Sequence, residues 1–254
     1  MNLAQTMAAL ERAGSEQTRK TYRRHGAQDP MFGVSYAALY GLQKQTGTDQ
    51  ALAEALWETG NHDARVLAML IADGEQMTAA KLNRWRRTTN QRFLSMSFTS
   101  LAARSKAGLE CALQWIDGKD EYEQAAGWGT LAGLASSRAV ADAVFAPLLP
   151  RLEVVVHELP NMARYYANNC LIAIGGRPEL TAAAMAVARK VGRVEVDHGD
   201  TDCKTPVATE YIVKMASRNA AKAAKAAKKA PGKPAKKAVA KPAKKTKAKA
   251  KARR

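Results

Sequence analysis

QMTAAKLNRWRRTTNQRFLSMSFTSLAARSKAGL, residues 76–109, is the stretch from which the rest of the chain can be read. Its apolar positions Leu82 and Trp85, then Phe93, Leu94, Phe98 and Leu101, recur at steps of three and four, which places them on one face of a helix. Two amphipathic helices are predicted here. The stretch contains no Asp or Glu, yet it carries Lys81, Arg84, Arg86, Arg87, Arg92, Arg104 and Lys106 for a net charge of +7. Cations without anions repel one another on a solvated face, so a polyanionic partner is the more economical reading. Clustered Arg and Lys are the electrostatic footprint of nucleic-acid binding.

The +17 charge of the 254-residue chain is distributed unevenly. Residues 218–254 hold 13 Lys and 3 Arg with no acid, whereas residues 1–217 sum to +1. This length accommodates one compact domain plus an appendage, so a body over 1–217 and a tail over 218–254 are expected. No apolar run is long enough for a signal peptide or a membrane span. Cys111, Cys170 and Cys203 are odd in number and far apart, which argues against a disulfide framework and for a reducing compartment. A soluble, monomeric, cytoplasmic and nucleoid-associated protein without a cofactor is the corresponding expectation.

On the N-terminal side, cap signals alternate with helical periods. Ser15 opens a helix stopping at Gly26, Ser35 one closing near Gly47, Asp49 one ending before Gly60, and Asn61 the next. On the C-terminal side, helices are predicted over 109–116, 122–134, 140–149, 162–174 and 181–191. Residues 152–156, with three β-branched valines, are compatible with a short strand, but a helical turn is favoured in so helical a chain. Sustained alternation is otherwise absent. The fold class is therefore all-α, and short helices with short connections point to a curved α-solenoid of antiparallel HEAT-like pairs.

The tail is Ala, Lys and Pro. Repeated Pro, self-repelling charge and the lack of an apolar face predict disorder, with the first part extending the preceding helix. It resembles the tails of linker histones and some bacterial histone-like proteins. Lys228, Lys229, Lys236, Lys237, Lys244 and Lys245 are its candidate phosphate contacts, binding without reading sequence. In the body, Arg19, Lys20, Arg23 and Arg24 form a second basic cluster beside the central one.

Several segments read together resemble the DNA alkylation repair family, the HEAT-like-repeat DNA glycosylases and their relatives. They are RKTYRRHGAQDPMFGVSYAALYGL (19–42), ALWETGNHDARVLAMLIAD (55–73), LNRW (82–85), AAGW (125–128), ARYYANNCLIAIG (163–175) and VEVDHGDTDCKTP (194–206). The block at 56–65 is the most specific. Read as packing alone, it gives Trp57 in a core, Gly60 at a turn and Asp63 or Arg65 in a surface pair. The resemblance covers roughly residues 15–216 and implies a concave basic groove that grips double-stranded DNA, with Trp128, Arg164, Tyr165 and Asn168 as further candidate DNA contacts.

The resemblance also implies a carboxylate and aromatic rings that stabilise the developing sugar cation as an alkylated purine leaves. Matched from Trp85, the carboxylate falls on Met96 and the preceding aromatic on Arg92. The family's basic residue falls on Ala125, and a later aromatic falls near Asn169. A thioether has no charge and a guanidinium repels a cation, so no catalytic residue is assigned. A DNA-binding protein without the usual chemistry is expected; an altered-site glycosylase and a protein-scaffolding solenoid are the alternatives.

Asp197–Lys204 gathers one His, one Cys and three Asp, but the spacing fits no standard zinc pattern. A turn at Gly199, Thr205 capping the last helix and Pro206 at its first position is the preferred reading, with no metal. His25, His62 and His157 read as capping or packing groups. Asn168 and Asn169 are either buried amides or groove-facing donors.

Overall fold

The computed structural model describes residues 1–137 and 139–229, the last eight by backbone alone. Among these residues every regular element is helical, and β-pairing is limited to one isolated bridge between Gly14 and Val34. No helix among them is long and apolar enough to cross a membrane.

The N-terminal caps fall where the sequence puts them. After α1 (Leu3–Ala13), Ser15 accepts from the Thr18 N–H at the start of α2 (Glu16–Arg24). Ser35, Asp49 and Asn61 do the same for α3 (Tyr36–Thr46), α4 (Gln50–Glu58) and α5 (His62–Ile71). Each such bond satisfies an N–H that the first turn leaves unpaired. The basic stretch forms the two expected helices, α6 (Ala79–Arg86) and α7 (Arg92–Ala103). Then come α8 (Gly108–Trp115), α9 (Glu121–Ser137), α10 (Asp142–Phe145), α11 (Leu148–Val155), α12 (Asn161–Gly175), α13 (Thr181–Val191) and α14 (Ala208–Lys229).

Three local expectations change. The helix over 140–149 is two helices, because Pro147 sits at the junction as the N-cap of α11. Thr205 does not cap the last helix: its hydroxyl meets His198, and α14 begins at Ala208. Asp63 is fully buried rather than surface-paired, accepting from the N–H groups of Phe32 (2.7 Å), Gly33 (3.0 Å) and Val34 (2.8 Å). The favoured helical reading of 152–156 holds, since α11 covers most of it. The helical extension of the tail reaches Lys229, and its remaining residues, with Lys236, Lys237, Lys244 and Lys245, lie outside the described residues.

Helix pairs α4/α5, α6/α7, α8/α9, α11/α12 and α13/α14 stack in succession, and α3, α5, α7, α9, α12 and α14 pack side by side as one layer. The result is a curved solenoid of HEAT-like pairs. Its apolar core has two main parts, one from Leu10 to Ala126 and one from Ala112 to Ile212, with α8 and α9 contributing to both, and a small third cluster of Tyr22, Ala27 and Met31 packs against Phe93. Trp57 and Trp85 stack in the first at 4.1 Å. Helix α9 is buried on every side from Ala125 to Leu131, the condition of a helix enclosed by neighbours. A Cβ on Gly129 would lie 2.6 Å from Thr99 of α7 and 2.8 Å from Tyr166 of α12. Its missing side chain is what lets those helices close over α9.

Candidate nucleic-acid interface

The packing divides the predicted cations into two groups. Arg86 is 9% exposed and lies between Asp120 (3.4 Å) and Glu123 (3.1 Å), tying α6 to the start of α9. Arg104 turns back to the carbonyls of Met69, Leu70 and Ala72 and closes the C-terminus of α5. Arg164 donates to the Leu159 and Glu195 carbonyls, both at 3.1 Å. Arg19 and Arg23 are paired with Glu16, Arg23 also with Asp29, and Arg84 with Glu58. These pairs are solvated and weak, so Arg19, Arg23 and Arg84 stay available to a stronger anion, whereas Arg86, Arg104 and Arg164 are structural. Arg24, Arg87, Arg92, Lys20 and Lys106 have no carboxylate partner among the described residues.

Two further expectations are corrected by burial. Trp128 is completely enclosed in the core, with the Arg151 guanidinium 5.5 Å from its ring. Asn168 is a buried helix-contact amide donating to the Pro206 carbonyl at 2.9 Å. The positions matched to the family's catalytic set also separate: Ala125 is core, Asn169 is half-buried, and Met96 is exposed on α7.

Arg24, Arg87 and Arg92 gather on one rim, around the 87–91 loop joining α6 to α7. A cleft of about 230 Å³ is lined by Arg65, Arg87, Asn90, His62 and Gln91. Gln91 also lines its neighbour, about 320 Å³, together with Arg24, His25, Arg92, Tyr122 and His198. Arg87 opens onto a third beside Asn90 and Tyr122, and Arg24 and His25 face Asp200–Cys203 across a fourth. Sequence reasoning gave Arg65 only as a candidate for a surface pair and not as a rim cation; its guanidinium lies 5.1 Å from the Trp57 ring and its Nε donates to the Trp57 carbonyl at 3.4 Å.

Arg92 is the best-defined member. Its guanidinium lies 5.4 Å over the Tyr165 ring of α12 and 3.2 Å from His198 Nδ1. A guanidinium only donates, so Nδ1 accepts, and His198 Nε2–H donates to the Thr205 hydroxyl at 3.0 Å. Partial burial and the Arg92 charge pull the His198 pKa below its ordinary value. His25 is lowered too, by desolvation, then by Arg92 and Arg24. On the α3 side, burial, partly offset by the bond with Ser97, pushes the Tyr36 hydroxyl up to about 12.

The carboxylates beside Arg92 are already engaged. Glu121 accepts from the Met162 N–H at 2.5 Å, satisfying the first turn of α12, and Asp197 accepts from the Gly199 N–H at 2.7 Å. Among the described residues no three His, Cys, Asp or Glu side chains converge as metal ligands would. Asp29, Asp200 and Asp202 also line these clefts, Asp29 being paired with Arg23 at 3.0 Å.

A family model described as DNA alkylation repair enzyme matches residues 6–190. Uncharacterized protein Lin0241 of Listeria innocua and uncharacterized protein Lmo0209 of Listeria monocytogenes are each 27% identical over 218 residues, covering 82% of this chain and 95% of their own. A solved structure is similar with a TM-score of 0.78 and 29% identity, over 86% of this chain and 95% of its own. It represents a new family of proteins related to the HEAT-like repeat DNA glycosylases with affinity for branched DNA structures.

Proposed function

The chain belongs to the family of DNA alkylation repair enzymes, and from that membership we propose that it binds DNA without excising bases. The observation that carries this reading is the rim on which Arg65, Arg87, Arg92 and Arg24 meet solvent around one loop. Guanidinium groups free of carboxylate partners are suited to phosphate oxygens, and the energy of such contacts comes largely from counterion release. In this reading the rim grips the backbone of a duplex arm, and the Lys-rich tail adds reach and affinity at the nucleoid. Branched DNA, which the structurally similar relative binds, is the proposed preferred form.

The loss of base excision follows from the site's electrostatics. Met96 stands where the family resemblance puts a carboxylate, and the cation Arg92 stands one turn before it. Losing one preorganised charge-stabilising group costs about a hundredfold to a thousandfold in rate, and here a positive charge adds repulsion. The test pairs two measurements on the full chain. Free alkylated purines released from methylated DNA are expected at the spontaneous rate, while the same preparation binds duplex and three-way-junction DNA. Release above that rate, abolished by Tyr165→Leu, would establish an altered-site glycosylase instead.

A further inference from the structure

The layer that holds Arg92 also carries a row of aromatic rings that phosphate binding leaves unused. Tyr40 and Tyr36 of α3 have ring centroids 6.0 Å apart, and Tyr36 lies 6.1 Å from Phe93 of α7. Phe93 adjoins Arg92, whose guanidinium covers Tyr165 of α12. Phe93 itself is half-buried, its ring packed also against Tyr22 at 4.8 Å and His25 at 5.2 Å, so it backs the row rather than opening onto solvent. Tyr40, at 49% exposure, is the member of the row that the fold leaves in solvent. The Tyr36 hydroxyl is fixed by Ser97 at 3.0 Å, so the inner end of the row is rigid. Tyr40 has no side-chain hydrogen bond among the described residues, so its ring is not needed to anchor α3.

A perfect duplex cannot use such a row, because its base faces are covered by their own stack and only phosphates and groove edges are presented. Unpaired bases offer a free π face. Aromatic rings interleaved with cations are the combination that binds them, the rings taking bases and the guanidinium groups the phosphates between. Resting on the DNA-binding reading above, we propose that Tyr40, backed by Tyr36 and Phe93, and Tyr165 beneath Arg92 form a stacking platform for unpaired bases. The ligand class is DNA with a single-stranded gap or unpaired nucleotides at a branch, and the platform supplies its discrimination from perfect duplex.

The experiment is an anisotropy titration of the full chain with a perfect duplex, the same duplex carrying a short thymine gap, and oligo(dT). The wild-type chain is expected to bind the gapped form more tightly than the duplex. Tyr40→Ala lowers affinity for gapped DNA and oligo(dT) by about tenfold, within what one base–aromatic stack supplies, leaves duplex affinity within twofold, and Tyr40→Phe restores the preference. Tyr165→Leu lowers gapped binding more than duplex binding. Equal binding of gapped DNA by wild type and Tyr40→Ala, or equal losses on gapped and paired DNA, overturns the platform while leaving the phosphate rim standing. Failure of the wild-type chain to bind any of the three overturns the DNA-binding reading and the platform with it.

Discussion

Asp63 and Arg92 are two charged residues whose neighbours give them opposite roles. Asp63 accepts three backbone N–H groups from residues 32–34 with no exposure to solvent. Asp63→Asn sets an amide N–H₂ against at least one of these donors, so a loss of about 3 kcal/mol is expected. For a chain this long that corresponds to roughly 6–12 °C in Tm, read by circular dichroism. A change under ~2 °C would remove Asp63 as the anchor of that loop. Arg92 is half-buried at the rim and, after burial, is the next cause that lowers the His198 pKa. Arg92→Ala is expected to raise the His198 pKa toward its ordinary value in an NMR titration, since Arg92 is one cause of the depression. With the folded pKa below the unfolded one, His198's contribution to stability is complete above the unfolded value and is lost as pH falls through it toward the folded value. An unchanged His198 titration in the variant would contradict the contact. The 56–65 block is conspicuous in the sequence, but its acid's burial is not, because a carboxylate's partners come from residues thirty positions away.

At the scale of elements, sequence reading succeeds where structure is local. Ser15, Ser35, Asp49 and Asn61 cap as expected because a cap is decided within four residues. It fails where helices meet. AAGW at 125–128 resembles an interface motif, yet Trp128 is core, and nearby Gly129 sets the approach of α7 and α12 to α9. Gly129→Ala places a Cβ 2.6 Å from Thr99 and is expected to destabilise by about 1–3 kcal/mol. Gly41→Ala, in α3 with open space around its Cβ, is expected to stabilise by about 0.5–1 kcal/mol. Urea denaturation of the two variants checks the contrast, and equal midpoints would show that the packing of α7, α9 and α12 tolerates a methyl group. Thr205 misleads because a Thr-Pro pair resembles a helix start, and only the fold brings His198 to its hydroxyl.

Over the whole molecule, charge alone is a partial guide. Residues 76–109 carry +7, but Arg86 and Arg104 are engaged internally, while Arg24 and Arg65, outside that stretch, complete the rim. A basic surface is legible from composition; which cations remain free depends on tertiary pairing with Asp120, Glu123 and the end of α5. Arg86→Ala should therefore lower stability by about 1–3 kcal/mol, because it leaves Glu123 partly buried without its partner, and should leave the salt dependence of DNA binding unchanged. The most direct test of the central claim is the slope of log K against log salt concentration for duplex DNA, compared between the full chain and the Arg24→Ala, Arg87→Ala, Arg92→Ala triple variant. If these three hold phosphates, the slope becomes shallower by about 0.9 for each phosphate no longer neutralised, nearly three units in all. An unchanged slope in the triple variant, with all salt dependence disappearing on deletion of residues 218–254, would contradict the account.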